Sequence, residues 1–312
     1  MSPVIGRFAP TPSGRLHLGN LLCCLLAYLS ARSQGGTFLL RIEDLDVPRC
    51  PRRLSQQCIE DLQFLGFDWD EEPLYQSERT EIYQRYFDEL SRMGHIYPCF
   101  CTRAQLHTAI APNLGDHEPV YSRACANLTQ AEIAQRQLVR SPAMRMRVPD
   151  AIISFEDGHF GAISENLEQA SGDYIIRRSD GLFGYQLAVV IDDALSGVSE
   201  IVRGRDILFS TPRQIHLQRT LSFDTPRYAH IPLLMDANGR RLAKRDKDLD
   251  LTALSKIMPP EAILGMLAYS AGVIKENRPA NLDELVKTFD WKNVKKDDIR
   301  LAYDPQKEQI AD

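Results

Sequence analysis

Pro10-Thr11-Pro12-Ser13-Gly14 stands between two apolar stretches, Ile5 to Ala9 and Leu18 to Ala31. It leaves the chain few ways to fold there. Two prolines remove backbone donors and Gly14 permits a tight turn, so the strand expected over Ile5 to Ala9 stops there. Leu18 to Ala31 is apolar nearly all round, which predicts a buried helix rather than a surface one. Gly35-Gly36 ends that helix, and Thr37 to Ile42 reads as a second strand with Glu43, Asp44 and Asp46 at its carboxyl end. Strand, glycine turn, buried helix, strand is the opening of a βαβ unit. Ligands of such sheets bind beyond the carboxyl ends of the strands, where these polar residues fall.

The remainder of the chain is compatible with an α/β enzyme. Of 312 residues, 44% are hydrophobic and 25% charged, which supplies a core and argues against bulk disorder. A net charge of -5 gives no global basic field for nucleic acid, although a local basic face is compatible with it. Met1-Ser2-Pro3 leads straight into the first strand with no secretory signal, and the apolar run Leu21 to Leu29 is too short to span a bilayer. A reducing, cytoplasmic setting is expected, with no membrane association and a monomeric chain. There the seven cysteines serve as thiols or metal ligands rather than disulfides.

Four segments are expected: the first half of a Rossmann-like domain over 1–95, an insertion over 96–172, the second half over 173–225, and a polar loop with a helical C-terminal region over 226–312. Residues 54–95 read as helical, most clearly from Arg79 to Met93. The run Tyr185 to Ile191 reads as a buried strand followed by the acids Asp192 and Asp193. Arg205 to Leu221 reads as a helix and Tyr228 to Leu233 as a strand. The tail from Leu251 is expected to be mostly helical.

His17 and Asn20 sit three residues apart at the start of the buried helix and share a face. Gly19 between them allows a ligand near the backbone. Free N–H groups at the helix start add positive potential, making an anion site suited to a nucleotide triphosphate. A lone histidine in that position would be an ordinary helix cap. The whole string Phe8-Ala9-Pro10-Thr11-Pro12-Ser13-Gly14-Arg15-Leu16-His17-Leu18-Gly19, however, resembles the "HIGH" signature of class I aminoacyl-tRNA synthetases, in its glutamyl form. Asn20 replaces the final histidine of the tetrad. Arg241-Leu242-Ala243-Lys244-Arg245 resembles the partner "KMSKS" loop, with arginine at the first lysine and Lys244 at the second.

The resemblance implies an α/β class I synthetase catalytic domain that binds ATP, with Mg, through His17, Gly19, Asn20 and Lys244. His17, Asn20 and Lys244 would stabilise charge on the departing phosphates. It implies a glutamate site at Arg7, Glu43, Tyr185 and Arg203 with the adjoining Phe8, Ala9, Pro10 and Thr11. Chemically, guanidinium groups suit carboxylates, and Glu43 suits an ammonium group.

Cys99-Phe100-Cys101 and Cys125 offer three soft ligands, and zinc usually takes four. His107 or His117 would be the ordinary fourth ligand, and Tyr121 an unusual one. The spacing C-x-C…Y-x-x-x-C resembles that of a truncated branch of the glutamyl synthetases, the glutamyl-queuosine tRNA(Asp) synthetases. That resemblance implies a structural zinc on Cys99, Cys101, Tyr121 and Cys125. About 70 residues follow the second motif, and helical anticodon-binding domains are not expected. The implied partners are glutamate, ATP and tRNA(Asp) carrying queuosine. Arg123, Arg136, Arg140, Arg145, Arg147, Arg177 and Arg178 are candidate phosphate contacts. Two alternatives stay open: a truncated glutamyl-tRNA synthetase charging the acceptor end, and a catalytically silent paralogue that binds tRNA or an amino acid.

Overall fold

The computed structural model describes residues 3–102, 105, 120–235, 251–300, 302–304 and 309–311. Lys244 and the whole stretch Arg241 to Arg245 lie outside the described residues, as do His107 and His117.

Strand β1 (Ile5–Phe8) pairs in parallel with β2 (Thr37–Ile42), Ile5 opposite Thr37 and Phe8 opposite Leu40. The connection between them is helix α1 (Leu18–Ser33). Helix and strand meet closely: a Cβ built on Gly6 would lie 2.9 Å from the Ala31 Cβ, so glycine sets the depth of the crossover. The short strand β3 (Leu74–Tyr75) extends the sheet beyond β2. On the other side, the Ser199 N–H donates to the Ile5 carbonyl at 2.9 Å, which brings β9 (Glu200–Gly204) alongside β1. Strand β10 (Arg227–Ile231) runs parallel to β9, and the hairpin of β6 (Ile152–Asp157) and β7 (Gly161–Asn166) closes on β10 through Asp157 and Gly158.

Helix α1 is buried on all sides because it has two partners. One is the sheet. The other is the C-terminal pair α7 (Pro260–Ala271) and α8 (Leu282–Thr288), whose Ile263, Leu264, Leu267 and Leu285 join the same cluster. Six leucines of α1, Leu18, Leu21, Leu22, Leu25, Leu26 and Leu29, are at most 1% exposed. Each such burial is worth about 1.5–3 kcal/mol, so this helix anchors the domain.

Several expectations need correction. The apolar run from Tyr185 is not a strand but helix α5 (Tyr185–Leu195), following α2 (Arg52–Phe64), α3 (Thr80–Arg92) and α4 (Gln130–Gln137). A continuous apolar run has no period to distinguish the two states when every face is covered. Here α5 is covered by α3 and by α6 (Thr211–Thr220). The segment Arg205–Ser210 is a 3₁₀ turn leading into α6 rather than part of one helix. The stretch 54–95 is interrupted by β3.

The stretch 96–172 is shared between two sheets. Strands β4 (Ile96–Cys99), β5 (Ala143–Met146) and β8 (Tyr174–Arg177) form a small antiparallel sheet, while β6 and β7 belong with β10. The tail is not wholly helical: β12 (Ile299–Arg300) pairs with β11 (Leu234–Met235). Among the described residues no helix is long and apolar enough to cross a membrane.

Candidate active site

A cavity of about 440 Å³ opens at the carboxyl ends of β1, β2 and β9. The structure brings to its wall Arg7, Phe8, Ala9, Pro10 and Thr11 from the β1 end and turn, and His17, Gly19 and Asn20 from the start of α1. Glu43, Tyr185 and Arg203 complete the set named from sequence. Lys244 lies outside the described residues.

His17 is the N-cap of α1, in extended backbone, and its Nδ1 accepts the Gly19 N–H at 3.1 Å. In a neutral ring that bond places the proton on Nε2. Asn20 closes the cap reciprocally, its Oδ1 accepting the His17 N–H at 3.3 Å. The asparagine thus completes a capping box, using its oxygen and leaving its amide as a donor. The residues that cap α1 are thus also residues of the cavity wall. Gly19 has a reason beyond ligand access, since a Cβ there would sit 3.0 Å from His17 Cε1 and press on the ring.

The two arginines of the site differ in their partners. Arg7 Nε donates to Asp193 Oδ1 at 3.1 Å, and the same oxygen receives Arg41 Nη1 at 2.5 Å. Arg41 Nη2 in turn donates to Glu43 Oε1 at 3.2 Å. The β1 and β2 ends and α5 are therefore joined by a buried chain of alternating charge. Burial would raise the Asp193 pKa, but Arg41 and then Arg7 outweigh it and hold the carboxyl below its usual range. Burial wins at Glu43, whose pKa is raised despite Arg41 and Arg7. Arg203, 3% exposed, donates only to neutral acceptors: His230 Nε2 at 3.0 Å, Gln214 Oε1 at 2.7 Å and Thr211 Oγ1 at 2.8 Å. Among the described residues no carboxylate pairs with it. A buried guanidinium without an anion is costly alone, and a carboxylate ligand relieves that cost.

Sequence reasoning missed Arg41, Gln214 and His230 and gave Asp193 no role. Asp193 carried the strongest signal, as the second of two acids that follow an apolar run. Its neighbour Asp192 serves the core instead, accepting from Arg79 at 2.7 Å, Gln76 at 2.8 Å and the Tyr83 hydroxyl at 2.7 Å.

Tyr185 and Ile207 also line a second cavity, of about 860 Å³, which reaches the small sheet. Its far wall carries Cys101, Tyr121 and Cys125. The sulfurs of Cys99, Cys101 and Cys125 lie within 4.8 Å of one another, a group able to hold a metal ion. Cys101 and Cys125 Sγ are 3.7 Å apart, too far for a disulfide and close to the edge of about 3.8 Å that a tetrahedron of thiolates at 2.3 Å from zinc requires. The Tyr121 hydroxyl stands 3.3 Å from Cys99 Sγ and 3.6 Å from Cys101 Sγ, where a fourth ligand belongs. Three thiols and a phenol oxygen converging in this way fit zinc.

Most of the arginines considered for phosphate contact are engaged elsewhere. Arg123 holds Asp173 through two bonds of 3.0 Å and also contacts Glu168 and the Val148 carbonyl. Arg145 is buried over the Tyr121 ring at 3.8 Å, Arg147 lies over Tyr97 at 4.5 Å, and Arg177 lies over Phe87 and Phe183. Arg178 pairs with Asp46 and Asp180. Arg136, on the wall of the larger cavity, and Arg140 pair with no carboxylate among the described residues.

The family model of tRNA synthetases class I (E and Q), catalytic domain, matches residues 3–299. A glutamyl-Q tRNA(Asp) synthetase of Nitratidesulfovibrio vulgaris is 46% identical over 285 residues, 88% of each chain. One of Symbiobacterium thermophilum is 44% identical over 308 residues, 95% of each chain. Among solved structures, a glutamate tRNA ligase from Elizabethkingia meningosepticum, crystallised with its amino acid, superposes with a TM-score of 0.82 at 27% identity, over 98% of this chain and 68% of that one. By the family match and the similarity to these relatives over most of both lengths, the chain belongs to the glutamyl-Q tRNA(Asp) synthetases, within the class I tRNA synthetases of the E and Q type.

Proposed function

We propose that the chain activates glutamate with ATP, without tRNA, and passes the glutamyl group to the cyclopentene-diol of queuosine in the anticodon of tRNA(Asp). The observation that carries the reading is that Arg203, buried and without a carboxylate partner among the described residues, shares with Glu43 the wall of the cavity that the tip of α1 also faces. Arg203 takes the side-chain carboxylate and Glu43 the ammonium group, while Arg7 steers the α-carboxylate. Tyr185, at the junction of the two cavities, contributes its hydroxyl beside the bound amino acid. The turn Phe8, Ala9, Pro10 and Thr11 supports it.

An α-carboxylate oxygen attacks the α-phosphorus of ATP, the bond to the β-phosphate oxygen breaks, and pyrophosphate leaves. The His17 Nε2–H, the Asn20 amide and Lys244 donate to the phosphates as charge develops. Mg bound with ATP would supply further charge neutralisation. A queuosine hydroxyl then attacks the glutamyl carbonyl carbon. The anhydride C–O bond breaks, AMP departs, and a phosphate oxygen of the adenylate takes the hydroxyl proton. The larger cavity, which shares Tyr185 with the glutamate site, receives the modified nucleoside, with Arg136 of its wall near the phosphates. Cys99, Cys101, Tyr121 and Cys125 would hold a zinc ion, which would fix that wall. Thiolate ligands of this kind suit a cytoplasmic, reducing compartment.

Glutamate-dependent ATP–pyrophosphate exchange without tRNA tests the first step, and its absence would leave a silent binding paralogue. Labelled glutamate offered to tRNA(Asp) with and without queuosine, and to tRNA(Glu), tests the second. Label only on queuosine-containing tRNA(Asp) is expected. Label on tRNA(Glu) would mean acceptor-end charging instead.

A further inference from the structure

Behind Arg203 lies a pair of titratable groups that touch neither cavity. His230 is 0% exposed and Asp157 1%. Asp157 sits at the turn of the β6–β7 hairpin, where its Oδ1 accepts the backbone N–H of His159 at 3.0 Å and of Phe160 at 2.9 Å. Its Oδ2 meets His230 Nδ1 at 2.6 Å. The other ring nitrogen, Nε2, faces Arg203 Nε at 3.0 Å.

Both ends of the imidazole are therefore determined. Asp157, ionised, can only accept, so Nδ1 must carry a proton. Arg203 Nε can only donate, so Nε2 must present its lone pair. A neutral Nδ1–H tautomer is the single form that satisfies both neighbours. A protonated ring would set N–H against N–H and a cation against a cation.

We propose that Asp157 and His230 are positioning residues for Arg203, and that they set the selectivity of the site for a carboxylate over an amide. This inference rests on the glutamate reading above, in which Arg203 is a ligand of the side-chain carboxylate. The reason lies in what an imidazole does that a carboxylate in its place would not. A carboxylate against Arg203 would hold it firmly but answer its charge, as Asp193 does in part for Arg7 and Arg41. Such a site would bind glutamine as readily as glutamate. A tautomer-locked imidazole fixes Nε with a neutral acceptor and puts the Asp157 carboxylate on the far side of the ring. Gln214 and Thr211 hold the other two nitrogens on the same terms. Arg203 is thereby rigid and still in want of an anion. The guanidinium's orientation is drawn from the hairpin turn, an element with no residue on the wall of the glutamate cavity.

Variants of His230 separate this role from a purely structural one. Gln places an amide oxygen near the position of Nε2, so His230→Gln keeps an acceptor for Arg203. Asn places its amide near Nδ1, so His230→Asn keeps the Asp157 contact and loses Arg203. Pyrophosphate exchange by the full chain, with KM for glutamate and for ATP and the glutamate-to-glutamine preference, is the readout, alongside thermal melting. His230→Asn is expected to raise the glutamate KM at least 10-fold and narrow the glutamate preference, with ATP KM unmoved. His230→Gln is expected to stay within about threefold of wild type. In an Arg203→Lys background the effect of His230→Asn is expected to vanish, because it acts through the arginine. Asp157→Asn, which puts an amide N–H against Nδ1, gives the same signature should His230→Asn not fold. Equal effects of Asn and Gln, or parallel rises in both KM values, would overturn the positioning role and leave the glutamate reading standing. A wild-type chain without exchange would overturn both.

Discussion

Arg7 and Arg203 carry the same group at neighbouring strand ends, yet their surroundings give them different work. Arg7 shares Asp193 with Arg41, so much of its charge is answered within the protein. Arg203 is answered by oxygens and a nitrogen that carry no charge. Replacing Arg203 by Met should therefore raise the glutamate KM by roughly 10- to 150-fold, the worth of about 1.5–3 kcal/mol for hydrogen bonds to a charged group, while ATP KM holds steady in the exchange assay. Equal loss of both would move Arg203 out of the glutamate site. Asp193 tests stability instead. Asp193→Asn leaves two buried guanidiniums sharing no carboxylate and should cost about 3–5 kcal/mol near neutral pH, read from denaturant unfolding. The Asp193 pKa is lowered in the folded state, so its stabilisation is present above the unfolded pKa and fades as pH falls below about 4. The gap between wild type and variant should shrink in that range, and a gap that widens there would contradict the assignment.

At the scale of elements, the three-thiol module and the opening βαβ unit are expected to have separable duties. The metal group lies on β4 and the 121–125 turn, on the far wall of the larger cavity from the tip of α1. Stripping zinc with a chelator, or Cys101→Ser, should leave pyrophosphate exchange within about twofold and reduce transfer to queuosine-containing tRNA(Asp) at least 10-fold. Metal content by mass spectrometry should follow the loss. Exchange lost in step with transfer would tie the metal to the first step. The elements were unequally legible in the sequence. β1, α1 and β2 could be read because prolines and glycines punctuate them and only one of the three is apolar on every face. α5 could not, because its Leu187 to Ile191 run is covered by α3 and α6 and shows no period. The β6–β7 hairpin looked like part of an insertion because its pairing with β10 joins residues far apart in the chain, Asp157 with Tyr228.

For the whole molecule, the C-terminal helices act as the second wall of α1. Gly265 of α7 shows how tight that wall is: a Cβ there would fall 1.8 Å from the Arg278 carbonyl oxygen. Gly265→Ala should lower stability by about 1–3 kcal/mol through forced backbone shifts, with glutamate KM little changed in the folded fraction. An unaltered melting curve would show that the 278–280 segment yields freely. Trp291 ties the same region down, its Nε1–H donating to Ser30 Oγ of α1 at 3.0 Å.

The sequence by itself determined the opening βαβ unit, the His17–Asn20 tip and the three thiols, since local punctuation and residue chemistry suffice for those, while Arg7, Glu43, Tyr185 and Arg203 were singled out by the resemblance to the glutamyl synthetases. Only the tertiary structure decided that Arg203 stands without a carboxylate partner among the described residues, that Asp193 binds Arg7 to Arg41, and that Asp157 and His230 stand behind the site. Charge balance in a buried place depends on which side chains meet across distant strands, and no spacing along the chain encodes that meeting.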